Sequence, residues 1–317
     1  IRFVLKNNKL KNGFPWALPI ALPINTTINT NLKKNNVYEI FNKKRNCLCY
    51  MKIEDIFKIE DERIFKDWFS CNDSDHPGIL SLKSRGQTYI SGKLIKKHSK
   101  SFIMRPFEGS PKKINELIYS KGWKTVVGFH TRNIPHQAHI FIQKRALEKV
   151  NADGLLLSPM IGEKEKGDFS NDLLIESYKG LLKSNVHKNL AILGFLDIYP
   201  RYAGPREAIF SAQCRKNLGC THFIIGRDHA GISNYYNDIS TRKFLKKFKN
   251  IGIELIFFDS VGYDVIKKKY IFDNGRINSI SGSSLRELIK SKKKIPPYLL
   301  DKHQQNIITN WKKKFFY

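Results

Sequence analysis

Two kinds of hydrophobic pattern divide this chain. Up to about residue 108, short apolar runs such as Val37–Phe41 and 87–92 alternate with turn signals such as the Asp-His-Pro-Gly of 75–78. That is the spacing of short strands in a small β-rich domain, with one helical turn expected over 53–57. From about residue 109 the runs become continuous and strand-length, at 124–129, 154–157, 190–194, 222–226 and 254–258, and most intervals between them are long enough for a helix. The interval 138–147 carries helical periodicity of its own. Uninterrupted apolar strands separated by helices predict a parallel sheet covered on both faces. Residues 1–108 therefore read as a β-rich N-terminal domain, 109–265 as a Rossmann-like α/β domain and 266–317 as a small C-terminal domain. In the last of these a turn is expected at 272–275. Ser283 or Ser284 is expected to cap a helix with Leu285, Leu288 and Ile289 on one face, and the tail 307–317 to form a basic amphipathic surface helix.

A length of 317 residues suits two or three domains. With 41% hydrophobic and 26% charged residues the chain is neither collagenous, disordered nor a coiled coil. Charge changes the picture more. Lys and Arg number 56 against 28 Asp and Glu, a net +28 at pH 7, which points first to nucleic acid. Yet only 14 of these cations are Arg, and the Lys residues are spread along the whole length amid many Asn and Ile. That is the pattern of codon drift on solvated faces, so no nucleic-acid partner is expected; the positive field still steers polyanionic substrates toward a cleft.

Cys47, Cys49, Cys71, Cys214 and Cys220 form no CxxC pair, which favours a reducing compartment and a cytoplasmic location. No apolar run reaches about 18 residues, so neither a transmembrane helix nor a membrane partner is expected. The segment 16–23 imitates a signal peptide, but its prolines break the helical region such a peptide needs. The first residue, Ile1 in place of Met, suggests an N-terminally incomplete chain.

Open α/β sheets bind ligands where their strands end, and two such places concentrate chemistry. After the first central strand, residues 130–139 read His-Thr-Arg-Asn-Ile-Pro-His-Gln-Ala-His. Pro135 suits the first turn of the following helix, which sets His136 and His139 three residues apart on one face, beside free helix N–H groups: an anion site. After the strand at 222–225, residues 226–231 read Gly-Arg-Asp-His-Ala-Gly. The two glycines permit a nest of backbone N–H groups, and Arg227 offers a bidentate fork for the same oxygens. A Walker A loop is excluded, because Ile232 stands where that motif needs Lys. A zinc site from His136, His139 and His229 is a weaker alternative, since i,i+3 histidines beside Arg suit phosphate better than a cation. Cys214 and Cys220 match no common metal spacing and read as buried thiols.

These two motifs together make the chain resemble the ATP sulfurylase (sulfate adenylyltransferase) family. Supporting matches lie at 160–168 (Met-Ile-Gly-Glu-Lys-Glu-Lys-Gly-Asp), 202–207 (Tyr-Ala-Gly-Pro-Arg-Glu), 280–286 (Ile-Ser-Gly-Ser-Ser-Leu-Arg), and 53–57, 75–78 and 90–93 of the N-terminal region. The resemblance covers nearly the whole chain. It implies a PUA-like N-terminal domain, a Rossmann-like nucleotidyltransferase domain and a small C-terminal α/β domain. It implies the reaction of ATP with sulfate to give adenylyl sulfate and pyrophosphate, with Mg²⁺ accompanying ATP, no protein-bound metal, and a homo-oligomer. Carried over by position, sulfate contacts fall on His130, Arg132 and Ala230. ATP contacts fall on His130, Thr131, Arg132, Asn133, Gly226, Arg227, Asp228, His229 and Val261. Thr131, Arg132, Asn133, His136 and His139 are the implied catalytic set, the two histidines meeting the charge of the transition state.

The chain departs from the better-known family motif at two points: His130 stands where those members have Gln, and Pro135 falls one residue later. Two other classes stay open on the residues alone. One is a different HxxH-type nucleotidyltransferase that uses an organic phosphate, and the other is a non-catalytic RNA-binding protein built on a PUA-like domain.

Overall fold

The computed structural model describes residues 1–20, 22–24, 32–41, 47–59, 63–86, 88–97, 110–162, 164, 166–226, 235–272 and 282–317. The elements run α1 (Arg2–Asn7), β1 (Leu22–Ile24), β2 (Val37–Phe41), β3 (Cys47–Lys58), α2 (Arg63–Phe69), α3 (Pro77–Ser84), β4 (Thr88–Lys97), α4 (Pro111–Ser120), β5 (Val126–Thr131), α5 (Gln137–Lys149) and β6 (Gly154–Ile161). They continue with α6 (Asn171–Lys183), β7 (Ala191–Leu193), β8 (Leu196–Asp197), α7 (Pro205–Asn217), β9 (His222–Ile225), α8 (Asp238–Leu245), β10 (Glu254–Phe257), β11 (Val261–Asp264), β12 (Lys269–Phe272), α9 (Gly282–Lys290) and α10 (Lys302–Thr309). Two compact units result. One comprises Ile1–Pro106, Arg201–Phe210 and Ala230–Phe248, the other Phe107–Pro200, Ser211–His229 and Lys249–Tyr317.

The first unit holds an antiparallel sheet of order β1-β4-β3-β2. Residues 53–57 lie inside its long strand β3 and do not form the helical turn expected from the sequence. A register shift between Ile53 and Asp55 inserts an extra residue opposite β4. Such a bulge breaks the two-residue alternation of a strand, and the resulting three-residue step from Ile53 to Ile56 imitates a helix. The turn signal at 75–78 is the start of α3: Pro77 opens the helix, and His76 caps it by accepting from the Gly78 N–H at 3.1 Å through Nδ1. With Nδ1 an acceptor, the proton of His76 sits on Nε2, 3.2 Å from the Tyr236 hydroxyl, which in turn donates to the Tyr202 carbonyl at 2.7 Å.

Residues 202–207 are structural in this unit. Buried Arg206 donates to Asp67 O, Asn8 Oδ1, Ala17 O and Leu5 O at 2.8–3.0 Å, tying the N-terminal segment down. The Glu207 carboxylate accepts from the Arg201 and Ala203 N–H groups.

The second unit is built on the sheet β10-β9-β5-β6-β7, with β8 also pairing β6, and every pairing is parallel. β6 is buried at all eight positions and β5 at five of six. This is the burial expected of a sheet covered on both faces. Val127, Leu155, Leu157, Ile224 and Ile256 of the strands pack with Ile140 of α5 and Leu174 and Tyr178 of α6 in one core, which α9 and α10 join through Leu285 and Ile308. Helix α9 begins at Gly282, so Ser284 lies in its first turn and does not cap it. The expected turn at 272–275 and Ile280 fall outside the described residues beyond Phe272.

The tail 307–317 is helical only to Thr309. Beyond it, three backbone hydrogen bonds lay 315–317 along 167–170: Gly167 N–H to Tyr317 O, Ser170 N–H to Phe315 O, and Tyr317 N–H to Asp168 O. Fully buried Phe169 stacks on Phe316 with ring centroids 5.3 Å apart. Aromatic residues at 315 and 316 gain more by covering Phe169 than by facing water on a surface helix.

Candidate functional site at the carboxyl end of the central strand

The last residues of β5 are His130 and Thr131, and the chain then turns through Arg132–Pro135 into α5. The helix starts at Gln137, with His136 as its extended cap residue. Pro135 therefore precedes the cap and does not occupy the first helical turn. The local turn is held by Thr131 Oγ1, which accepts from the Asn133 N–H at 3.1 Å, and by the hydroxyl of buried Tyr178, which donates to Asn133 O. The Gln137 N–H is taken by Leu299 O.

His136 and His139 are brought together as the spacing predicts, in stacked form, with ring centroids 3.6 Å apart and 27° between planes. Phe129 packs edge-on against His139. Burial lowers the His136 pKa to about 4, and burial together with His136 holds His139 well below the ordinary imidazole range. Both rings are thus neutral near pH 7: two cations this close in a desolvated place would repel. Their Nδ1 atoms and Asn133 Oδ1 are buried without a hydrogen-bond partner. Buried polar atoms left unmatched are rare in folded proteins, and three of them within 133–139 would be suited to a ligand that completes the bonding.

Three cations gather around Asp168. One oxygen of Asp168 accepts from Arg286 at 2.7 Å and the other faces Arg132 at 3.9 Å, so one carboxylate orients two guanidinium groups. Lys164 is buried, donates to Met160 O at 2.9 Å, and has its pKa lowered to about 8, by burial first and by Arg132, with Asp168 opposing. A fourth cation, Arg215 of α7, is fully buried and reaches the register partners His130 of β5 and Ser158 of β6 together. It donates to Ser158 Oγ at 3.2 Å, Ser158 O at 3.0 Å, Ser211 O at 3.3 Å and His130 Nδ1 at 2.5 Å.

Asn133 packs on the start of α9. A Cβ at Gly282 would fall 2.2 Å from Asn133 Nδ2, so only glycine admits the amide there. Three cations around one carboxylate, with Arg132 on the same turn as two neutral imidazoles whose Nδ1 atoms are unmatched, would suit an anion bearing several oxygens.

Gly226 ends β9, the strand beside β5, and among the described residues a side chain there would meet open space. Arg227, Asp228, His229 and Ala230 lie outside the described residues. Val261 is buried at the start of β11, opposite Phe272 of β12. Among the described residues no group of three or more His, Cys, Asp or Glu is placed to hold a metal ion, and no helix is long and apolar enough to cross a membrane. Of the two cysteines read as buried thiols, Cys220 is buried, its pKa pushed up to about 12, and Cys214 is half-buried.

Sequence reading did not single out Lys164, Asp168, Arg215 or Arg286 as site residues. For Arg215 a signal existed: it falls on the same stripe of α7 as Ala208 and Ala212, seven and three positions earlier, and a charge on an apolar stripe asks for a buried partner.

A PUA-like domain model matches residues 1–97, and the ATP-sulfurylase model matches 105–311. The chain is 32% identical to the sulfate adenylyltransferase of Pyrococcus abyssi, covering 98% of this chain and 82% of that protein. It is 34% identical to that of a Synechococcus species, over 93% and 76%. Among solved structures, the hexameric APS kinase from Thiobacillus denitrificans superposes with a TM-score of 0.70 at 17% identity, a likeness of fold that spans 97% of this chain and 55% of that one. With a β-rich PUA-like domain at the N-terminus, a parallel sheet behind it in sequence, and relatives of one name along nearly its whole length, the chain belongs to the ATP-sulfurylase family.

Proposed function

We propose that this protein is a sulfate adenylyltransferase that joins ATP and sulfate to give adenylyl sulfate and pyrophosphate by direct in-line displacement. The observation that carries this reading is the turn after one parallel strand, which holds both Arg132, facing Asp168 together with Arg286, and the stacked pair His136 and His139. Membership of the family and the names of the relatives support it.

Sulfate is fully ionised at neutral pH, so it needs no general base. One of its oxygens attacks the α-phosphorus, the bond from that phosphorus to the bridging oxygen of the β-phosphate breaks, and pyrophosphate leaves with the electron pair. No proton has to move and no covalent intermediate with the protein is formed. The barrier is the approach of two anions and the growth of charge on phosphate oxygens. Catalysis is therefore positioning and electrostatic stabilisation. In this reading Arg132, aligned by Asp168, and His130 hold sulfate, while Asn133 meets the ATP phosphates. His136 and His139, neutral and desolvated, donate N–H bonds to the developing charge. Magnesium enters as part of the substrate, carried on the phosphate oxygens of ATP.

The test is a coupled assay of pyrophosphate release from MgATP with and without sulfate. Release should require sulfate, and Arg132→Ala should abolish it. Release indifferent to sulfate, or sulfate-dependent release surviving in Arg132→Ala, would refute the assignment.

A further inference from the structure

We infer that Arg215 is a positioning residue: it fixes the tautomer of His130 so that the ring presents its Nε2–H as a donor to a fully ionised oxyanion. The inference rests on the sulfate reading for its ligand, and on the geometry alone for the tautomer.

A guanidinium can only donate, so at 2.5 Å from Arg215 Nη2 the Nδ1 atom of His130 must be an acceptor. The single ring proton then sits on Nε2. A second proton, on Nδ1, would face a buried guanidinium with no lone pair to receive it. Arg215 itself has little freedom, because three of its four other donors are spent on Ser158 Oγ, Ser158 O and Ser211 O. His130 and Ser158 are register partners on adjacent strands, so one side chain grips both strands at the same level. Gly128, two residues before His130, makes this approach feasible: a Cβ there would lie 3.3 Å from the Arg215 Cβ and 3.0 Å from the Cys220 sulfur.

The chemical consequence is selectivity. An imidazole with its proton on Nδ1 would turn a lone pair toward the ligand and repel an ion that carries only acceptor oxygens. With the proton on Nε2, His130 does what an amide N–H does at the same position. Family members with Gln have such a donor in their amide, which needs no tautomer to be chosen. The His in this chain needs Arg215 beside it.

The experiment begins with the unmodified protein. Long-range ¹H–¹⁵N correlation of its histidine side chains at pH 7, with His130 assigned by comparison with His130→Gln, should show a pyrrole-type Nε2 and a pyridine-type Nδ1. The opposite tautomer, or an imidazolium, would overturn the inference even if the enzyme works. Next, Arg215→Met should mix the tautomers and raise the KM for sulfate about ten- to a hundredfold, with a smaller effect on the KM for ATP. Adding His130→Gln in that background should recover part of the sulfate KM, which a merely structural role for Arg215 would not allow; no recovery counts against it. If Arg215→Met does not fold, the spectrum of the unmodified protein decides alone. Should that spectrum match while pyrophosphate release ignores sulfate, the sulfate reading falls and the tautomer assignment stands.

Discussion

Arg286 donates to Asp168 at 2.7 Å across 118 positions of sequence, and the same carboxylate faces Arg132 at 3.9 Å with its other oxygen. Asp168 is the group that keeps two guanidinium ions pointing into one place. Removing it leaves part-buried cations without their counter-charge, which typically costs about 3–5 kcal/mol. Asp168→Ala should therefore lower the urea midpoint markedly and weaken sulfate binding in the same variant. A variant that kept both its midpoint and its sulfate affinity would show that the pair is ornamental.

Lys164 gives the site a pH limit. Its pKa in the folded protein is about 8, against 10.5 for an ordinary lysine. As pH rises through about 8 the folded site loses this charge, and affinity for an oxyanion should fall; the unfolded chain keeps the proton until about 10.5. The sign for stability is opposite. Between these two values the unfolded state binds more protons, so this group makes folding more favourable as pH rises. Titration calorimetry with sulfate from pH 7 to 9.5 should show the decline, and Lys164→Arg, whose charge survives this range, should flatten it.

His136 is assigned to the transition state. His136→Ala should lower kcat by about 10²–10³-fold, the usual loss when one such donor is removed. The KM for ATP should change far less. Steady-state kinetics separates the two, and a variant weakened in ATP binding with kcat intact would move His136 to a ground-state role.

Gly282 tests how closely α9 must approach the loop after β5. A Cβ there meets only the end of the Asn133 side chain, 2.2–2.6 Å away. That end can rotate, so Gly282→Ala should cost about 1 kcal/mol or less in stability. Asn133 would be displaced, and turnover should drop severalfold. Thermal melting beside kinetics checks the split; a large loss of stability with full specific activity would contradict it.

The five strands β5, β6, β7, β9 and β10 were legible because each contains an uninterrupted apolar run, and burial on both faces is written directly into such a run, whereas β8, β11 and β12 were not. His136 and His139 were legible for the same local reason, being three residues apart at a helix start. Where local pattern and structure disagree, the cause lies in pairing with another part of the chain. The bulge in β3 is set by its register with β4, and the tail beyond Thr309 leaves the helix to cover Phe169. Nothing within either segment carries that information.

The existence and order of the five central strands were determined by sequence alone, since hydrophobic periodicity is local, although β5 runs on to Thr131 and β6 to Ile161, past the apolar runs at 124–129 and 154–157. Which charges meet there was decided only by the tertiary structure. Asp168 with Arg286, and Arg215 with His130, lie 118 and 85 positions apart, and contacts of that range exist only once the helices have packed on the sheet.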